Sequence, residues 1–293
     1  MLGKLLKYDL KSVWRIWWIA AVSAFGASFV GAFALRVCLT VPTLSTAEAF
    51  TNREILIMIL AGILCGLAVL AIVASVFLME ILVYWRFYKH FFSDEGYLTF
   101  TLPVSRKTLL LSKTLNAVIW TVAHAILIAV CLVVFLAFAP PETADSGFFN
   151  PIALRAVGEA ISMLFHGMGA GWFFAYAFGV LLILAGTLMF SISLVHYCIT
   201  LGAIIAKKAK LLAAIGMYYL ITTILSFLSQ TVMTVFSLFM MVRFVAFMVL
   251  LTPHAAACAV WLIILLVATV IAALASVMYF WTLGNLERKL NLA

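Results

Sequence analysis

Long runs without a charged residue alternate with short basic and polar segments along this chain. Residues 16–35, 55–79 and 114–141 form uncharged runs of twenty, twenty-five and twenty-eight positions. A hydrocarbon core of about 30 Å requires about 20 helical residues. Each of these runs therefore predicts one membrane-spanning helix.

The second half of the chain predicts three further spans. Residues 160–206 are uncharged, but a glycine-rich break at 167–171 places one long helix at about 172–204. The run 211–242 supplies the fifth span, and the sixth begins after Pro253. Six spans place both ends of the chain on the same side of the membrane.

The composition agrees with this pattern, since 67% of the residues are apolar and only 10% are charged. Soluble domains average about 45–50% apolar and about 25% charged residues. A soluble globular enzyme, a disulfide-rich secreted domain and a disordered chain are therefore excluded. We expect an all-α polytopic membrane protein whose residues 1–293 form a single transmembrane domain.

The basic residues are distributed unevenly between the two sides. Under the six-helix count, 14 of the 18 Lys and Arg residues lie on the side of the termini. The other side has only Arg36, Arg53, Arg155 and Arg243. Because Lys and Arg are enriched in cytoplasmic loops, both termini are predicted to be cytoplasmic. This placement explains the net charge of +8 without a nucleic-acid partner.

Residues 1–15 have the pattern of an amphipathic helix. On a helical wheel one face is basic and the opposite face is apolar, the basic face being formed by Lys4, Lys7, Lys11 and Arg15. We interpret the segment as an interfacial helix on the cytoplasmic leaflet, after which the chain turns into the first span. The alternative is an ordinary basic flank of that span.

A second short helix is predicted on the outer surface, before the fourth span. Asn150 and Pro151 suit the N-cap and the first turn of a helix. The residues that follow at helical spacing form a polar face, which consists of Arg155, Glu159, Ser162 and His166. A solvated polar face is a better interpretation of His166 than a metal ligand.

The sequence has few of the motifs that carry chemistry. It has no GxxxxGK[ST] loop for nucleotide phosphates and no HExxH metal site. We interpret His124 and His196, both within spans, as packed polar residues rather than ligands. Glu80 is the only carboxylate placed in a span, at its cytoplasmic end. No catalytic residue, metal site or cofactor is therefore assigned to the chain, and it is not expected to be an enzyme.

The most distinctive segment is the predicted cytoplasmic loop 84–113, YWRFYKHFFSDEGYLTFTLPVSRKTLLLSK. It combines several aromatic residues with the adjacent acids Asp94 and Glu95. Pro103 interrupts the backbone, and Ser105 can cap the helix that continues into the third span. Because aromatic side chains in a loop require burial, we interpret the segment as a docking element, with an interfacial turn as the alternative.

Three pieces of this sequence resemble the permease subunit of ATP-binding-cassette (ABC) transporters of the ABC type-2 family, from bacteria of the Gram-positive type. They are MLGKLLKYDLK at the start, FYKHFFSDEGYLTFTLPVSRKTLLLSK in the loop and KLNL near the end. The resemblance implies that residues 1–15 are the connecting helix and that the loop carries a coupling helix. It also implies a re-entrant segment between the fifth and sixth spans, matched by residues 236–253.

The coupling helix of such a permease contacts a separate cytoplasmic ATPase subunit. The resemblance assigns this contact to nine residues of the segment 88–97, namely Tyr88, Lys89, Phe91, Phe92, Ser93, Asp94, Glu95, Gly96 and Tyr97. ATP and Mg²⁺ would bind to the ATPase subunit and not to this chain. A second permease subunit, identical or homologous, would complete the transporter.

The resemblance therefore implies an exporter in the bacterial plasma membrane that moves a peptide, a drug or a lipid-like molecule. Two other classes of function remain open from the residues alone. An ion-coupled secondary transporter or channel would need no ATPase partner. A membrane-embedded enzyme would depend on His124 or His196.

Overall fold

Eight helices supply the regular structure of the described residues, which are 2–44, 51–101, 103–138, 152–206, 208–250 and 252–288 of a computed structural model. The helices are α1 Leu2–Leu44, α2 Asn52–Phe92, α3 Asp94–Thr101, α4 Arg106–Ala137, α5 Ile152–Met168, α6 Ala170–Ile205, α7 Lys210–Leu250 and α8 Pro253–Arg288. All except α3 and α5 are long and apolar enough to cross a membrane. The prediction of an all-helical chain with six such helices is confirmed.

Helix α1 continues without a break from Leu2 to Leu44, through the position where a turn was predicted after Arg15. That part of the prediction is wrong. No glycine or proline lies between Gly3 and Gly26, so nothing in the sequence interrupts the ladder of backbone hydrogen bonds. The basic segment and the first span are one rod of 43 residues, about 65 Å long.

The two faces predicted for the start of α1 are present. The four basic side chains are exposed, whereas the opposite face is buried or partly buried, with Val13 completely inaccessible. The residues of that face are Leu2, Leu6, Leu10, Val13 and Trp17. This segregation of charge is what an amphipathic helix requires.

The segment 84–113, predicted as a loop, is mostly helical. Helix α2 extends to Phe92, α3 follows after one residue, and α4 begins at Arg106. The prediction of a loop is therefore wrong for most of this segment. Charged residues indicate where the apolar part of a span ends. They do not end the helix itself, because Lys, Arg and Glu are good helix formers.

The boundary between α5 and α6 lies at Gly169, inside the predicted glycine-rich break. Its φ of 79° is a conformation that glycine adopts at little cost. The predicted helix 172–204 corresponds to α6, which spans Ala170–Ile205. Helix α5 forms as predicted after Pro151, although Asn150 and Pro151 themselves lie outside the described residues.

No re-entrant turn occurs in the described part of the segment 236–253. Helix α7 continues to Leu250, which contradicts the re-entrant segment implied by the family resemblance. The sequence has no glycine or proline between Gly216 and Pro253, so α7 can propagate over its whole length. Pro253 is the first residue of α8, a position where its missing N–H has no cost.

The chain divides into two compact units. The first contains the described residues within 3–85 and 115–167, and the second contains those within 86–114 and 168–288, together with Leu2. In the first unit, α1, α2 and α4 meet where Gly31 lies against Ala68 and Phe135. Closer to the start of α1, the rings of Trp17 and Trp120 lie 5.4 Å apart.

In the second unit, α6 packs against both α7 and α8. Small residues allow this close packing, because a Cβ atom at Gly179 would lie 2.5 Å from the ring of Trp261 on α8. A Cβ at Gly202 would collide with the backbone of Ala214 on α7. Close helix packing through small residues is common where lipid supplies no hydrophobic driving force.

We expect replacement of Gly31 with Ala to lower the thermal stability of the purified protein. The added Cβ would lie 2.8 Å from the Cβ of Ala68 and 3.0 Å from the ring of Phe135. Overpacking of this kind costs about 1–3 kcal/mol. Gly26→Ala is the matched control, since it lies on the same helix with nothing within 4 Å. Equal melting temperatures for the two variants in detergent would contradict this account of the packing.

Candidate functional site

A single residue, Ser93, separates α2 from α3 in the segment that the sequence singled out. Its hydroxyl donates a hydrogen bond of 2.5 Å to the carbonyl of Lys89, and its carbonyl accepts one of 2.8 Å from the amide of Gly96. Serine side chains compete with the helix for backbone groups, and acids favour the first turn of a helix. The run Ser93, Asp94, Glu95, Gly96 therefore ends one helix and begins the next.

Gly96 fixes how closely α3 folds back on the end of α2. A Cβ atom at this position would lie only 2.7 Å from the carbonyl oxygen of Phe91. That oxygen belongs to the backbone, so a side chain at position 96 could be accommodated only by moving one helix. We call residues 86–114, which comprise the end of α2, α3 and the start of α4, the α3 hairpin.

The aromatic residues at the end of α2 are buried within the chain itself. Phe87, Phe91 and Phe92 retain 2%, 0% and 7% of their accessible surface. Phe87 stacks on the imidazole of His196 in α6 at 3.8 Å, with 15° between the planes, and Phe91 lies 5.5 Å from the ring of Phe100. The burial that these side chains require is thus provided by α3 and α6.

The residues predicted to contact an ATPase differ in exposure. They are buried at Phe91, Phe92 and Gly96, partly buried at Tyr88, Ser93 and Glu95, and exposed at Lys89 and Tyr97. The side chain of Asp94 lies outside the described residues. Tyr97 and its neighbour Leu98 are 65% and 67% exposed. Helix α3 therefore presents these two side chains outward, while the phenylalanines at the end of α2 pack within the second unit, Phe91 against Phe100 of α3.

An ion pair joins the two helices across the break. The Nζ of Lys89 lies 2.7 Å from the Oε1 of Glu95. This hydrogen bond, with smaller contributions from the charges of Lys89, His90 and Arg86, holds the pKa of Glu95 below its ordinary value. Because the ionised form is favoured, the pair is complete at neutral pH and is lost only as the pH falls through that lowered pKa. Both side chains are about half exposed, so the pair orients α3 more than it stabilises it.

Two basic residues bind the carboxyl ends of other helices. Arg106 donates to the carbonyls of Leu286 and Glu287 at the end of α8, the second at 3.0 Å. Lys210, the first residue of α7, donates to the carbonyl of Phe92 at the end of α2, at 3.4 Å. Cations are favoured at these helix ends, where carbonyls lack intrahelical partners. Sequence reasoning missed both contacts, because the partners are 180 and 118 positions away.

The cap predicted at Ser105 is present. The amide of Thr108 donates to the Oγ of Ser105 at 3.3 Å, and α4 begins at the next residue. Pro103 lies in the short connection between α3 and α4, where it is exposed. Its ring prevents continuation of a regular helix through this point. The start of α4 could be predicted because a cap involves only residues close in sequence.

The two histidines within the spans are packed polar residues, as predicted. His124 is 4% exposed, and its Nε2 lies 3.4 Å from the hydroxyl of Ser75 in α2. His196 is 1% exposed and stacks on Phe87. Among the described residues, no three His, Cys, Asp or Glu side chains come together in a way that could hold a metal ion.

Comparison of the chain with protein-family models, curated proteins and solved structures finds no match. The candidate site is therefore defined by its own geometry. It consists of the exposed Tyr97 and Leu98 on α3, Gly96 against the carbonyl of Phe91, and Glu95 in its ion pair with Lys89. Contacts to α6, α7 and α8 support it.

We expect Gly96→Ala to loosen α3. The new Cβ would collide with the carbonyl of Phe91, so α3 would lose its position over the end of α2. Chymotrypsin should then cleave after Tyr97 faster than in the original protein. Gly216→Ala, in a helix of the same unit with nothing within 4 Å, should leave cleavage unchanged. Identical cleavage rates for both variants would show that Gly96 does not fix α3.

Proposed function

We infer that this chain is the membrane-spanning permease subunit of an ABC transporter of the type-2 family, and that it exports a peptide, a drug or a lipid-like molecule. A separate cytoplasmic ATPase subunit binds ATP and Mg²⁺, and a second permease subunit completes the transporter. The observation that carries this proposal is the α3 hairpin, which is anchored to three other helices while one face of α3 remains exposed.

The lengths of α2 and α4 support a position of α3 outside the bilayer. With 41 and 32 residues, the two helices are about 60 Å and 48 Å long, whereas the hydrocarbon core is about 30 Å thick. Trp120, which lies beside Trp17, suits the membrane interface where tryptophan is enriched. Helix α4 begins 14 residues earlier, about 21 Å along its axis.

The contacts of the α3 hairpin supply a mechanical connection. Phe87 stacks on His196 of α6, Lys210 of α7 binds the carbonyl of Phe92, and Arg106 binds the carboxyl end of α8. A displacement of α3 would reach α6, α7 and α8 through the end of α2 and the start of α4, which make these contacts. ATP-driven closure of an ATPase dimer would use this connection to change the arrangement of the spans.

The exposed face of α3 has the composition of a small docking surface. Tyr97 and Leu98 are apolar and exposed outside the long apolar runs, and Glu95 lies beside them. Aromatic residues with a polar rim are enriched in protein interfaces. An ATPase groove with basic residues at its edge would accept this face.

The remaining parts of the proposal follow from the charge pattern. The exposed bases of α1, Lys4, Lys7, Lys11 and Arg15, would face the anionic headgroups of the cytoplasmic leaflet. Both termini would then lie in the cytoplasm of a bacterial cell, on the same side as α3. Glu80 is the only acid that the sequence places within a span, which favours ATP over an ion gradient as the energy source.

One observation favours the alternative, an ion-coupled transporter or channel. Ser75 and His124 form a buried polar contact between α2 and α4, and polar groups within spans often belong to ion pathways. Such a protein would be active without an ATPase. Purification from native membranes without any stoichiometric ATPase would favour this alternative.

We expect the double variant Asp94→Ala, Glu95→Ala to reduce transport and ATPase stimulation by about tenfold, the effect of losing one charge-assisted hydrogen bond. Membrane insertion should not change, because neither residue lies in an apolar run. Glu159→Ala serves as the control, since it removes an exposed acid on α5, outside the α3 hairpin, and should leave transport unchanged. Normal transport by the double variant would overturn the assignment.

A photo-crosslinking amino acid at position 97 should capture the ATPase subunit in native membranes. Tyr97 is 65% exposed, and Phe174 of α6 is a matched control because it is 64% exposed within an apolar span. The same group at Phe174 should react with lipid or with another membrane protein. Capture of no ATPase at position 97, or equal capture at both positions, would contradict docking through α3.

A further inference from the structure

Three polar side chains follow one another along the buried face of α4 in the first unit. They are Asn116, Trp120 and His124, which are spaced four residues apart and therefore share one face of the helix. Each is almost completely buried, with 5%, 5% and 4% of its surface accessible. This face packs on α1, where the rings of Trp17 and Trp120 lie 5.4 Å apart, and on α2, where Ser75 contacts His124. The three polar side chains thus lie in the interior between α1, α2 and α4.

Four buried polar atoms of this cluster have no hydrogen-bond partner among the described residues. On α4 they are the Oδ1 of Asn116, the Nε1 of Trp120 and the Nδ1 of His124, and on α1 the Nε1 of Trp17. Buried polar atoms in proteins are almost always hydrogen-bonded, either to another protein group or to an ordered water molecule. Four such atoms on neighbouring side chains therefore indicate a bound polar molecule.

The contact with Ser75 determines which ring nitrogen of His124 is a donor. The hydroxyl of Ser75 donates its one hydrogen to the carbonyl of Ile72 at 2.7 Å. Its oxygen is therefore the acceptor in the 3.4 Å contact with His124, which assigns the proton of the neutral ring to Nε2 and leaves Nδ1 as an acceptor. The four unpaired atoms are then two donors, the indole N–H groups, and two acceptors, on Asn116 and His124.

The spacing along α4 suits small bridging molecules. Successive residues of this face are separated by about 6 Å along the helix axis. Groups at this separation are too far apart for a direct hydrogen bond, but one water molecule with a hydrogen bond of about 2.8–3.0 Å to each can bridge them. Water also matches the chemistry of the cluster, because it accepts from the indole N–H groups and donates to Asn116 and His124.

We propose that the interior of the first unit binds a chain of ordered water molecules along α4, from Asn116 past Trp120 to His124. The waters accept hydrogen bonds from the indoles of Trp17 and Trp120 and donate to Asn116 and His124. The site extends about 12 Å along the helix. Its waters connect α1 to α4 by hydrogen bonds that lipid cannot supply. The proposal does not depend on the proposed transport function.

Hydroxyl-radical labelling with X-ray pulses tests the site in the full chain in lipid nanodiscs, because the radicals form from water and oxidise the side chains beside it. Trp120 should be oxidised although it is only 5% exposed. Met278 is the matched control, since it has a side chain of comparable reactivity, is 9% exposed and packs in an apolar cluster with Leu194 and Cys198. A rate of oxidation at Trp120 no higher than that at Met278 would overturn the proposal.

The variant Asn116→Leu tests the hydrogen bonds of the waters, since leucine has a similar volume and no polar atom. Loss of this acceptor should reduce the labelling of Trp120 severalfold and lower the melting temperature, because the waters and the indoles lose a partner. Ser23→Ala on α1 is the control and should change neither, since Ser23 is exposed and its hydroxyl donates to the carbonyl of Ala20.

Two results with Asn116→Leu would overturn the proposal. A higher melting temperature would show that the Oδ1 of Asn116 had been buried without any partner, because removal of an unpaired buried acceptor is stabilising. Unchanged labelling of Trp120 would show that no water at this indole depends on Asn116.

Discussion

Backbone N–H and C=O groups have no water to bind in the hydrocarbon core of a membrane, so a spanning segment must pair them within its own helix. The six long helices of this chain satisfy that requirement without interruption in their described parts. A helix that crosses the hydrocarbon core also extends past it unless a helix-breaking residue ends it. Helix α2 therefore projects to Phe92 and α1 extends back to Leu2. The α3 hairpin forms because α2 ends at Ser93 and Gly96 allows α3 to pack closely against the end of α2.

Close packing in this environment depends on small residues, because apolar side chains gain little by leaving lipid for another helix. Gly31 brings α1 against α2 and α4, while Gly179 and Gly202 bring α6 against α8 and α7.

The charged residues have three different roles that their sidedness alone does not distinguish. The bases at the start of α1 are exposed on one face. Arg106 joins the start of α4 to the carbonyls at the end of α8, and Lys210 joins the start of α7 to the carbonyl of Phe92 at the end of α2. Arg36 is the one charged residue among those that line an apolar groove between α1 and α2. The chain has few charged residues, and those described here have different structural roles.

The sequence by itself determined the features that depend on near neighbours. The six apolar helices, the cap at Ser105 and the break at Gly169 could all be predicted, because composition and caps act within one or two turns. The predicted turn after Arg15 and the re-entrant segment at 236–253 were wrong, since a change in charge or a resemblance does not stop a helix that lacks glycine and proline. Tertiary structure alone decided that Phe91 points inward and Tyr97 outward, and that Arg106 binds the end of α8. Those outcomes depend on contacts between residues far apart in sequence. A phenylalanine or an arginine can make the same kind of contact with many partners, so the residue type alone does not identify the partner.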